Sequence, residues 1–143
     1  MNIIKILQIT ILVLLTSTII SASAEPRVVE STFCLKMDKP DCSILAVTRQ
    51  IKMSDILTIE DGIKTLYFWT SIAVSEDKTI VHVWRESDSI IQGVKLSISK
   101  SPRFRTYSKI IAKPGIYRVE VRDPNSSTLP GGESKTITIL PSE

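Results

Sequence analysis

His82 is the only histidine in the 143 residues, and it stands in the stretch Thr79-Ile80-Val81-His82-Val83-Trp84-Arg85-Glu86, two places before one of the two tryptophans. An imidazole titrates near neutral pH, so it is the first side chain to weigh as a general base or a metal ligand. Either role needs help from other groups. A base requires a partner that orients it and a pocket that presents the proton it takes, and zinc requires several His, Cys or carboxylate ligands together. One histidine cannot build a His-rich site within a single chain. No spaced Asp-x-Asp-x-Asp run marks a calcium loop, and the Gly-x-Ser-x-Gly, Gly-x-x-x-x-Gly-Lys and His-Glu-x-x-His patterns are all missing. No cofactor, no metal and no catalytic residue is therefore expected, and a semi-buried His82 hydrogen-bonded to backbone or a hydroxyl is the simpler expectation.

Two other groups carry chemical potential. In Arg103-Phe104-Arg105-Thr106-Tyr107-Ser108-Lys109, an extended backbone puts Arg103, Arg105, Tyr107 and Lys109 on one side and Phe104, Thr106 and Ser108 on the other. Such a basic and aromatic row can hold an anionic or carbohydrate group through guanidinium forks and ring faces. The plainer alternative is that these cations blunt an exposed sheet edge. Cys34 and Cys42, the only cysteines, flank a segment ending in Asp38-Lys39-Pro40-Asp41, a turn sequence. Without Cys-x-x-Cys spacing, a structural disulfide across neighbouring strands is expected rather than redox work.

The elements that must position these residues are short and alternate in hydropathy. Candidate strands are Arg27 to Lys36, Cys42 to Ile51, Ile63 to Val74, Thr79 to Arg85, Ile90 to Ser99, Phe104 to Ile111, Ile116 to Asp123 and Lys135 to Leu140. Tyr117, Val119 and Val121 oppose Arg118, Glu120 and Arg122, and Val94, Leu96 and Ile98 oppose Lys95, Ser97 and Ser99, as in strands with one wet face. Leu66 and Phe68 oppose the equally bulky Tyr67 and Trp69, which predicts a central strand or one that offers aromatics to a partner. Ser54 to Glu60 reads as a helical turn or an irregular crossover. Asn125-Ser126-Ser127 matches a glycosylation acceptor but lies in a loop of turn composition. Strands of this length and spacing predict an all-β protein, an immunoglobulin-like antiparallel β-sandwich.

At the start, Met1-Asn2-Ile3-Ile4-Lys5 leads into an apolar run from Ile6 to Ile20 and then Ser21-Ala22-Ser23-Ala24-Glu25. A basic start, an apolar core and Ala-x-Ala predict a signal peptide over residues 1–24, cleaved after Ala24. That leaves one domain over residues 25–143 in a periplasmic or secreted location, with no stable membrane span after cleavage. The basic and acidic side chains, 18 and 15 in the whole chain, nearly balance. This balance argues against a nucleic-acid partner.

Leu66-Tyr67-Phe68-Trp69-Thr70, His82-Val83-Trp84, Val94-Lys95-Leu96, Arg105-Thr106-Tyr107-Ser108 and Gly115-Ile116-Tyr117-Arg118-Val119-Glu120-Val121 together resemble the bacterial family known as domain of unknown function 2914. Its pattern joins a Tyr-Phe-(Phe or Trp)-Thr strand, a His-x-Trp, an Arg-Thr-(Trp or Tyr)-Ser and a Gly-x-(Trp or Tyr)-x-Val-x-Val. The resemblance spans about residues 42–140. Arg49 stands where the family often has Arg before Glu-Pro or Gln-Pro, but Gln50-Ile51 follows it here. What the resemblance implies is a small exported all-β domain with no established catalytic activity, in which His82 and Trp84 meet the Arg105 to Ser108 run across adjacent strands.

The function expected is a non-enzymatic binding or protein-interaction module of the bacterial envelope. Its candidate surface is His82, Trp84, Arg103, Arg105 and Tyr107, and its partner an envelope protein or an anionic or carbohydrate ligand. The competing expectations are a periplasmic hydrolase or glycan-processing enzyme using His82, and a structural accessory subunit whose sheet edge pairs with a larger envelope protein.

Overall fold

The computed structural model describes residues 24–34, 36–38, 41–43, 55–58 and 64–141. The signal segment before Ala24 and the part of the second expected strand after Ser43 lie outside the described residues. The described residues hold ten strands: β1 (Arg27–Cys34), β2 (Lys36–Asp38), β3 (Asp41–Ser43), β4 (Asp55–Thr58), β5 (Lys64–Val74), β6 (Lys78–Glu86), β7 (Ser89–Ile98), β8 (Ser101–Ala112), β9 (Gly115–Arg122) and β10 (Lys135–Leu140). Among the described residues there is no helix.

The strands form two packed sheets, one in the order β1-β5-β8 and one in the order β4-β10-β9-β6-β7, beside the small β2-β3 hairpin. Neighbours are antiparallel except β4, which runs parallel to β10 at an edge. In immunoglobulin lettering the first sheet is A-B-E and the second G-F-C-C′, with β4 added beside G, so the protein is an immunoglobulin-like β-sandwich. Each sheet turns one row of alternating apolar side chains inward. Phe33, Leu66, Phe68, Ile72 and Ile110 come from one sheet, and Ile80, Trp84, Ile98, Val119, Val121, Ile137 and Ile139 from the other.

Two residues mark the immunoglobulin pattern closely. Immunoglobulin domains bury a Trp on strand C and place a Tyr near the start of strand F, whose hydroxyl bonds back to the preceding corner. Trp84 on β6 is fully buried, with the rings of Phe33 at 6.1 Å and Phe68 at 6.2 Å. Tyr117 on β9 donates its hydroxyl proton to the Lys113 carbonyl and accepts from the Lys113 N–H, both at 3.0 Å. These two hydrogen bonds to the backbone of one residue clamp the β8-β9 corner.

Several expectations need correction. The first expected strand ends at Cys34, and β1 pairs with β5, Phe33 opposite Phe68. The Asp-Lys-Pro-Asp turn does close a hairpin, the short β2-β3 pair with Asp38 opposite Asp41. Residues 55–58, expected as a helical turn or crossover, are the edge strand β4. Four residues are too few to display a period of two, and their partner β10 is remote in sequence. The Asn125 loop is a turn as expected: the Asp123 N–H donates to the Ser127 carbonyl at 2.9 Å, and the Ser127 N–H to Asp123 Oδ1 at 3.0 Å.

The same loop continues across the sandwich edge. Val28 N–H on β1 donates to the Pro130 carbonyl at 2.8 Å, and Val121 N–H on β9 donates to the Gly132 carbonyl at 2.9 Å. The loop thus ties one sheet to the other. Gly131 permits this with φ at 75°, and a Cβ there would lie 2.3 Å from the Val28 carbonyl oxygen. No side chain fits at that distance.

Candidate functional site

The alternation of β6 directs Ile80, His82 and Trp84 into the sandwich and Val81, Val83 and Arg85 to the other side. His82 has no exposed surface. Its Nε2 lies 3.2 Å from Thr70 Oγ1 on β5, and its Nδ1 lies 2.8 Å from Ser108 Oγ on β8. Trp84 Nε1–H donates to the same Ser108 Oγ at 2.8 Å. The edge of Phe68 closes over the imidazole with ring centroids 5.2 Å apart.

This is a polar clamp between the two sheets. His82 and Trp84 belong to the five-stranded sheet, Thr70 and Ser108 to the three-stranded one. A neutral imidazole offers one donor and one acceptor, and two hydroxyls that can each give or take a proton satisfy it in either tautomer. Both of its recorded partners are neutral hydroxyls, so no charge offsets the cost of burying an imidazolium. Burial accordingly pushes the His82 pKa from 6.5 down to about 3. The ring is therefore neutral at physiological pH, with both nitrogens engaged inside the core.

The candidate surface consequently divides. His82 and Trp84 lie in the core and are not surface residues, which corrects their place in the expected contact patch. Arg103, Arg105 and Tyr107 lie on the opposite, outward face of β8, with Arg103 and Arg105 exposed and Tyr107 half-buried. Thr106 and Ser108 share the inward face, so one short run supplies both the clamp and the surface. The resemblance correctly implied that His82 and Trp84 meet this run, but they meet it across the two packed sheets and not across adjacent strands, and their partner in it is Ser108, not the arginines.

The outward face also carries β5 residues that were not assigned to it. Register sets Tyr67 opposite Lys109, Trp69 opposite Tyr107 and Ser71 opposite Arg105. Tyr67 and Tyr107 touch edge to face at 5.8 Å. From β1, Glu30 reaches across the sheet to Arg103 at 3.1 Å. Ser71 is fully buried although it faces outward, and its hydroxyl has no hydrogen-bond partner among the described residues. The signal for this arrangement was present in the bulky, two-faced sequence Leu66-Tyr67-Phe68-Trp69, which marks β5 as the central strand.

Cys34 ends β1 as a buried residue on this same side, opposite Tyr67. Its sulfur lies 3.5 Å from Met37 Sδ, and Met37 is the residue paired with Cys42. The Cys42 side chain lies outside the described residues, and the expected bridge with it.

Elsewhere, a depression of about 450 Å³ opens beside Glu25, Arg27, Ser75 and Lys100, and His82 is not among its lining residues. Among the described residues no three His, Cys, Asp or Glu side chains converge as a metal site would require. The outer face of the five-stranded sheet holds an ion-pair group in which Glu120 meets Arg122 at 2.6 Å and Arg85 at 3.6 Å.

Residues 77–130 match the model of a protein family described as "Protein of unknown function (DUF2914)". The match runs from β6 past β9 and contains His82, Trp84, Ser108 and Tyr117. No curated protein matches the chain.

Proposed function

We propose that this chain, a DUF2914-family protein through residues 77–130, is a non-enzymatic binding module of the bacterial envelope, exported by its N-terminal signal. Its contact surface is the outward face of β8 with its β5 neighbours. The observation that carries this proposal is the division of β8: Ser108 is consumed by the core clamp, while Arg103, Arg105 and Lys109 stand exposed on the other side beside Tyr107. Guanidinium and ammonium groups beside ring edges suit an anionic group or an acidic carbohydrate. Enzymatic use of His82 has little support, because both ring nitrogens are bonded to core hydroxyls and no solvent-open cleft reaches them.

The test is recovery of envelope components on immobilised protein, comparing wild type, an Arg103→Ala/Arg105→Ala double variant and Lys95→Ala on the far sheet. Components held by wild type and by Lys95→Ala are expected to be lost from the double variant. Equal recovery by all three proteins would remove β8 as the contact surface.

A further inference from the structure

Natural sheets shield an outer strand from other chains with charged side chains, prolines or shortness. The strand β7 has little of this. It is the last strand of the five-stranded sheet among the described residues, runs for ten residues, and contains no proline, no acid and one cation, Lys95. Its apolar residues are Ile90, Ile91, Val94, Leu96 and Ile98, four of them β-branched and suited to pairing.

Its own exposure shows that the folded chain leaves this strand uncovered. Ser89 to Gly93, Lys95 and Ser97 are all exposed, Ile90 by 57% and Ile91 by 45%. Gly93 has no side chain, so the surface it presents is backbone. The inward row is also incompletely covered. Val94 and Leu96 pack against the core yet stay half-buried, whereas His82 and Ile80, which face them from β6, are fully buried. The remaining exposure therefore lies on the side of β7 away from β6, where one more strand would cover it.

From Gln92 to Ile98 the pairing with β6 has no register shift, so alternate N–H and C=O groups along this length point away from β6. Charge then selects the partner. A strand with a lone lysine and no acid calls for neither an acidic nor a basic segment, and it accepts its own copy provided that Lys95 does not face Lys95. A twofold axis through Val94, perpendicular to the sheet, meets that condition. It sets Val94 against Val94 of the second copy, Gln92 against Leu96, and Lys95 against Gly93, which has no side chain to obstruct it. Facing residues keep to one side of the sheet, so the half-buried Val94 and Leu96 of both copies cover one another.

We infer that two copies of this chain join edge to edge through β7, antiparallel about Val94, so that their five-stranded sheets become one continuous sheet. The contact is isologous. It is separate from the β8 surface, which belongs to the other sheet. Two strand edges bury less than a standard interface, so the association is weak and concentration-dependent.

Sedimentation equilibrium of the purified protein from about 5 µM to about 500 µM tests it. A Cβ at Gly93 meets only Val81 Cγ1, at 3.7 Å, so a side chain fits there without strain. Gly93→Lys puts a second cation against Lys95 twice per dimer and is expected to weaken the dimer about fivefold; Gly93→Glu creates two opposite-charge pairs and is expected to tighten it by about the same factor. Val94→Cys is expected to yield a disulfide-linked dimer on mild oxidation, because facing residues of an antiparallel pair lie within bridging distance, while Ser97→Cys is not. Arg103→Ala/Arg105→Ala should associate as wild type does. A protein that stays monomeric to the highest concentration overturns the inference, and so does a dimer that the two Gly93 variants shift equally or leave unchanged.

Discussion

His82, Trp84, Thr70 and Ser108 act through a single shared oxygen. Ser108 Oγ accepts from Trp84 Nε1–H and bonds His82 Nδ1, each at 2.8 Å, so its removal orphans two buried groups at once. Leaving a buried donor or acceptor unpaired costs about 1–3 kcal/mol. Ser108→Ala is therefore expected to destabilise the fold by about 2 kcal/mol or more, read as a lower urea midpoint at unchanged slope. Exposed Ser97→Ala should shift the midpoint little. The sequence made part of this legible: alternation placed His82 with Ile80 and Trp84, and Ser108 opposite Arg105. It did not show which face of β6 meets which face of β8, because that depends on how two sheets stack, and no local period encodes it. Grouping His82 and Trp84 with the arginines crossed from one face of β8 to the other.

At the scale of elements, strands with one wet face announced themselves. The strand β9 buries Tyr117, Val119 and Val121 and turns Arg118, Glu120 and Arg122 outward, as its sequence predicts. The two-faced β5 proved central in its sheet. Elements whose partners are remote were harder: β4 is too short for a pattern, and β1 pairs with β5 across a long excursion. The loop from Asp123 to Gly132 is similar, since its composition marks a turn but not its grip on both sheets. That grip depends on Gly131, whose φ of 75° brings its Cα over the Val28 carbonyl. Gly131→Ala would force a methyl against backbone in a strained conformation, and a loss of about 1–3 kcal/mol is expected, measured by thermal unfolding. A variant as stable as wild type would show that the loop can detach from β1 without consequence.

Across the whole molecule, the core clamp and the outward basic face divide the motif between stability and contact. A protein that unfolds as one unit exposes His82 only when both sheets part, so its protonation is linked to global stability. The folded pKa of about 3 lies below the ordinary 6.5, so between these values the unfolded chain binds a proton that the folded one excludes. His82 therefore contributes most to stability above about pH 6.5 and loses about 1.4 kcal/mol per pH unit as the medium is acidified towards pH 3. Because the chain has one histidine, its ring resonances report this without ambiguity. In an NMR titration of the folded protein, the His82 ring signals should stay at their neutral positions from about pH 8 to pH 4.5, and imidazolium shifts should appear only together with the signals of the unfolded chain. A titration in the folded state centred near pH 6.5 would contradict the account, because it would place His82 in contact with solvent and reopen it as a chemical site.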